Sequence, residues 1–93
     1  MEDREIFYKK LKVKLDETTK FPSDYLFKFI VSNESNKQEE LQDIFKNSGA
    51  LINKKKSKKG KYISFSIVIN IVNSNEVIFY YKQAEKIEGI ISL

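Results

Sequence analysis

Apolar residues recur along the chain with two periods, and each period marks a different kind of element. Over residues 3–17, Phe7, Tyr8, Leu11 and Leu15 fall at helical spacing among Arg4, Lys10, Lys14 and Glu17, which predicts an amphipathic helix. A strand-like signal competes there, because Leu11, Val13 and Leu15 alternate with lysines. Phe21-Pro22 breaks the pattern, since proline lacks an amide donor and restricts the residue before it, and the globular core is expected to start at that point. Residues 25–32 are dense in Phe, Ile and Val, with Phe27, Phe29 and Val31 on one face and Leu26, Lys28 and Ile30 on the other, as suits a central strand. Ser35 and Gln38 then have capping-box spacing, Leu41, Ile44 and Phe45 form an apolar stripe, and Gly49 supplies a left-handed stop.

A strand over residues 50–56 leads into the turn Ser57-Lys58-Lys59-Gly60 and on to the longest strand, residues 61–72. There Ile63, Phe65, Ile67, Ile69 and Ile71 share one face, and Tyr62, Ser64, Ser66, Val68 and Asn70 the other, so one face is core and the other partly solvated. Asn73 caps a helix over residues 73–86 with Glu76 at the boxed position and Val77, Tyr80, Tyr81, Ala84 and Ile87 facing inward. Residues 90–93 read as a short final strand. This order predicts an α+β chain: a ferredoxin-like βαββαβ sandwich with a four-stranded antiparallel sheet, its first and third strands central, and two helices on one face. Residues 1–20 are set apart as an N-terminal helical extension, and residues 21–93 as the domain.

At 93 residues there is room for one domain only, and its small core would gain from association. Absence of cysteine and histidine removes disulfides, thiolate metal sites, cysteine nucleophiles and the commonest general base. The longest uncharged run, residues 62–75, is too short and too interrupted by Ser and Asn to span a membrane. The acidic opening has the wrong charge for a signal or transit peptide, so the cytoplasm is the expected location.

The net charge of +4 belongs to one place. Lys54, Lys55, Lys56, Lys58, Lys59 and Lys61 supply six of the 17 basic residues, and the rest of the chain carries 11 basic against 13 acidic side chains. Clustered ammonium groups can bind a polyanion by releasing its counterions. They also protect an exposed edge strand against addition of another strand. RNA recognition on such a sheet calls for aromatics spaced by two, whereas Tyr62 and Phe65 are three apart and point to opposite faces, so nucleic acid is not the expected partner. The loop after the first strand lacks the arginine of an acylphosphatase-type site, the cysteines of a metal carrier and the glycine common in amino-acid-binding ACT domains. Glu39, Glu40 and Asp43, and Glu85 with Glu88, sit at surface spacing among lysines and read as solvated faces. No catalytic residue, metal or cofactor is expected.

Three stretches read together resemble the YbeD-like family of small bacterial proteins. They are Phe21-Pro22-Ser23-Asp24-Tyr25-Leu26-Phe27-Lys28-Phe29-Ile30-Val31, then Ser57-Lys58-Lys59-Gly60-Lys61-Tyr62-Ile63-Ser64, then Tyr80 and Tyr81 followed by Ile87-Glu88-Gly89-Ile90-Ile91-Ser92-Leu93. The resemblance implies a ferredoxin-like domain similar to ACT-type regulatory domains, with no established biochemical activity; the longer N-terminal helix departs from the pattern. The expected function is a non-enzymatic regulatory or protein-interaction module, with anion or nucleic-acid binding at the lysine turn as the alternative. Lys28 and Tyr62 are expected side by side on the open face, one strand apart. Self-association, as a possible homodimer, is expected through the apolar last strand or beside Phe79, which lies off the inward stripe of its helix and should pack on Phe7, Leu11 or a partner chain.

Overall fold

A computed structural model describes residues 3–93; Met1 and Glu2, the start of the acidic opening, lie outside the described residues. The elements are α1 (Arg4–Thr18), β1 (Ser23–Ser32), α2 (Ser35–Ile44), β2 (Leu51–Lys56), β3 (Tyr62–Ile71), α3 (Ser74–Glu85) and β4 (Ile91–Ser92). All pairings are antiparallel, in the order β2-β3-β1-β4, so the two ten-residue strands, β1 and β3, occupy the centre. Three helices and one open four-stranded sheet make the chain α+β, in an arrangement compatible with a ferredoxin-like sandwich.

The two faces of β3 separate cleanly, with Ile63, Phe65, Ile67, Ile69 and Ile71 buried and Tyr62 and Asn70 exposed. Phe27, Phe29 and Val31 of β1 lie opposite Ile67, Phe65 and Ile63, and these pairs form the floor on which Leu41, Phe45, Val77, Ala84 and Ile87 pack. Aromatic rings fill the middle: the Phe27 ring lies 4.7 to 5.9 Å from those of Tyr25, Phe29, Phe45, Tyr80 and Tyr81.

The helices α2 and α3 begin differently from each other. Asn73 caps α3 as predicted, its side-chain oxygen accepting the Glu76 amide at 3.0 Å. The box expected at Ser35 does not form. Glu34 holds the cap position without a side-chain bond, and the Gln38 side chain donates to Asn33 at 3.1 Å instead. α2 also stops at Ile44, short of Gly49, because Asn47 as well as Gly49 adopts positive φ and the chain unwinds through both.

The division at residue 20 does not separate two packing units. Leu15 belongs to the main core and Leu11 packs against it, so α1 docks along α3 as a third helix of the same layer. Tyr8 is buried there, Lys12 donates to Ser74 at 3.2 Å, and Lys82 lies 3.5 Å from Glu5. Arg4 pairs with Glu85 and stands over the rings of Phe7 and Tyr8. Hydrogen bonds from Lys12 and Ser74 hold the Asp16 carboxyl below its usual range. Ile78, the position before Phe79, is buried on the side of α3 that faces Glu5, Tyr8 and Lys12 of α1. Phe79 stays 53% exposed, its ring centre 5.5 Å from that of Tyr80 in an edge-on arrangement, while the Phe7 ring meets Tyr8; the expected packing of Phe79 on Phe7 or Leu11 is therefore absent. The Phe21-Pro22 peptide between α1 and β1 is cis.

Candidate functional site

Two surfaces stand out, and the register of the sheet builds both. The three helices cover one face, leaving the other open along β1, β3 and β2. On that open face the cross-strand pairs form rows. Leu26 lies opposite Val68, and Val68 opposite Leu51, giving an apolar row across three strands, with Leu26 49% and Leu51 71% exposed. One step along is a polar row, Lys28, Ser66 and Asn53. One step the other way is Asp24 with Asn70, whose amide donates to the Asp24 carboxylate at 3.3 Å. Past the polar row, Ile91 of β4 pairs with Ile30, and Ile30 with Ser64.

This register corrects the expected neighbourhood of Lys28 and Tyr62. They share the open face, but Lys28 faces Ser66 and Tyr62 faces Ser32. Four strand residues, about 13 Å, separate the two rows. Tyr62 belongs instead to the hairpin.

The hairpin turn is built by Ser57, whose amide donates to the Tyr62 carbonyl at 2.9 Å and whose hydroxyl accepts the Tyr62 amide at 3.1 Å. Gly60 supplies the positive φ of 73°, and its amide donates to the Ser57 carbonyl. Asn33, just beyond β1, ties the turn down: its side chain donates to the Gly60 carbonyl and its amide to the Lys61 carbonyl, both at 2.8 Å. Sequence reasoning passed over Asn33, because the bond depends on the end of β1 lying opposite the start of β3. The result is a groove of about 320 Å³ lined by Ile30, Lys55, Lys56, Ser57, Lys58, Tyr62 and Ser64. A shallower hollow on the same tyrosine adds Lys59 and Lys61.

The structure thus gathers Lys55, Lys56, Lys58, Lys59 and Lys61 around the half-exposed Tyr62 ring, and it separates the remaining candidates. Lys54 points to the helix side, its ammonium 5.8 Å from the centre of the Phe65 ring. Lys28 is on the open face, and Phe79 is on α3 behind the sheet. Among the described residues, none of the six hairpin lysines forms an ion pair.

The other polar feature is internal. The hydroxyls of Tyr25 and Tyr81 lie 3.1 Å apart beneath α3. Burial, with the Tyr25 hydrogen bond second, pushes the Tyr81 phenol well above its usual range, and burial also raises Tyr80 and Tyr8. Such phenols stay protonated and act as packing groups with one polar end. A hollow of about 210 Å³ between α1 and β4 is lined by Arg4, Phe7, Tyr8, Leu11, Tyr81, Ser92 and Leu93. The last strand, expected over residues 90–93, is shorter than that, at Ile91–Ser92, and so offers little backbone for another strand to extend.

No helix among the described residues is long and apolar enough to cross a membrane. Comparison with curated proteins and with solved structures gives no match. A family model does match, over residues 16–93, and so takes in the end of α1, the whole sheet and both following helices. The chain belongs to the family described as "Protein of unknown function (DUF493)".

Proposed function

We propose that this chain is a non-enzymatic protein-interaction module, of the architectural kind that ACT-type regulatory domains and the YbeD-like proteins represent, and that it works through the uncovered face of its sheet. The observation that carries this reading is the row Leu26, Val68 and Leu51. Three apolar side chains aligned across three strands, two of them about half or more exposed, are hydration the chain would shed on docking. The absence of cysteine and histidine supports the non-enzymatic part. Hydroxyl-radical footprinting tests the reading in a concentrated extract of the native cell, against dilute purified protein. Labelling of Leu26, Leu51 and Val68 is expected to fall several-fold in the extract while Phe79 labels equally in both. Equal labelling of the leucines would contradict it.

A second reading rests on the hairpin groove. Five lysines without an ion pair among the described residues, around one half-exposed tyrosine, fit a linear polyanion carrying flat rings, the ammonium groups taking phosphates and Tyr62 stacking on a base. Binding of a fluorescent single-stranded oligonucleotide would then weaken steeply between low and physiological salt, and Lys55→Gln with Lys58→Gln would reduce the salt slope. No binding at low salt would dismiss this reading and leave the first intact.

A further inference from the structure

We propose that the occupant of the uncovered sheet face is a second copy of this chain, placed by a two-fold axis that runs along the Leu26, Val68 and Leu51 row. The inference rests on the reading of that face as the interaction surface, and the register supplies the partner. Rotation about an axis lying along the row keeps each strand over its own counterpart and reverses its direction. Leu26 then meets Leu26 of the other copy, Val68 meets Val68 and Leu51 meets Leu51.

The rows on either side exchange places under the same rotation. Asp24 lies two residues before Leu26 on β1 and Lys28 two residues after it, with all three on the open face. Asp24 of one copy therefore comes over Lys28 of the other, and the symmetry makes the contact twice. On β3 the same operation lays Asn70 over Ser66, amide against hydroxyl. Neither Asp24 nor Lys28 has an ion pair within the chain among the described residues. Opposite charges flank an apolar row at equal distances on one strand, so the face is complementary to itself. Two aligned sheets pack about 10 Å apart and depart from parallel by about 30°, an offset the long lysine side chain spans.

Other placements of a second copy on this face fit less well. An axis along the Lys28 row would set Lys28 on Lys28. An axis parallel to the strands through β3 would carry β1 over β2 and set Leu26 on Leu51, but it would leave Asp24 without a lysine opposite. Only the first placement joins the apolar row and both charges in one contact. It also leaves the lysine hairpin outside the interface, because Tyr62 lies three rows from the axis. Three rows bury less than the roughly 800 Å² per partner of stable interfaces, so the association is weak and concentration-dependent.

Sedimentation equilibrium of the intact chain and three variants decides the matter. Wild type is expected to pass from monomer to dimer between low micromolar and millimolar concentration. Asp24→Lys alone, or Lys28→Asp alone, replaces two attractive contacts with two repulsive ones and is expected to weaken association about tenfold or more. The double variant Asp24→Lys with Lys28→Asp restores both pairs and is expected to return the dimer to near the wild-type affinity. Circular dichroism of each variant verifies that these exposed substitutions leave the fold in place. A wild type that stays monomeric at millimolar concentration overturns the inference, as does a dimer that the single reversals leave unchanged or that the swap fails to restore. If the wild type is monomeric while the leucines are still protected in extract, the second copy is excluded and the open face keeps its role with a different protein.

Discussion

Phe27→Ala is expected to cost about 3–5 kcal/mol and to lower the melting temperature by at least about 12 °C. Phe27 is fully buried at the centre of β1, and its ring touches five other aromatic rings drawn from β1, α2's end and α3. Truncation removes the transfer free energy of the ring and leaves a hole that stiff strands on either side cannot close. A domain of this size has about 5–15 kcal/mol in all, so the variant sits near the edge of folding. Phe79→Ala is the matched control: the ring is half exposed, and its loss should change stability by less than about 1 kcal/mol and leave the mass in solution unaltered. Thermal melts of both by circular dichroism check the pair. A small loss at Phe27 would mean that the aromatic centre is not where the fold is held.

The second large effect concerns α1. Leu15→Ala is expected to destabilise the whole domain by about 2–4 kcal/mol in a single cooperative transition, because Leu15 is a member of the main core and not of a separate helix–helix contact. An appended helix would behave differently, with local fraying and an unchanged main melt. Amide exchange separates the two. Faster exchange throughout β1 and β3 is the expected result, and acceleration confined to α1 would show that the helix is an attachment.

The elements were legible because their signals are local. Alternation in β3 is unbroken over five apolar positions, and Asn73 with Glu76 marks the start of α3 unambiguously. The family match starting at residue 16 cuts through α1, and sequence alone placed the domain start later, at Phe21, because a proline after a charged amphipathic helix looks like a boundary. What joins α1 to the domain is Leu15 reaching the core, a tertiary contact that periodicity does not encode. At Ser35 the spacing of a capping box was present, but Gln38 found Asn33 a better partner once the loop after β1 was held against the hairpin turn.

Most of the candidate site was hidden for a related reason. Period-two patterning assigns a side chain to a face and says nothing of which residue lies across from it. Lys28 and Tyr62 were correctly placed on one face and incorrectly placed beside each other, since the pairing Lys28 with Ser66 is set by where the hairpin begins and how far the crossover helix carries the chain. The same register aligns Leu26, Val68 and Leu51, three residues from separate stretches of sequence that no motif links. The lysine cluster was visible at once, but its division was not: Lys54 turns to the helix side, and the others gather round Tyr62.

The central claim is that the open sheet face, centred on the apolar row, is the surface through which two copies of this chain associate. Backbone amide chemical shifts followed through a dilution series from millimolar to low micromolar test it residue by residue. The expected result is a set of concentration-dependent shifts confined to Asp24, Leu26, Lys28, Leu51, Ser66, Val68 and Asn70, with α1, α3 and the hairpin turn unmoved. Shifts centred on β4, on Phe79 or on the lysine turn would contradict it, as would a spectrum that does not change with concentration.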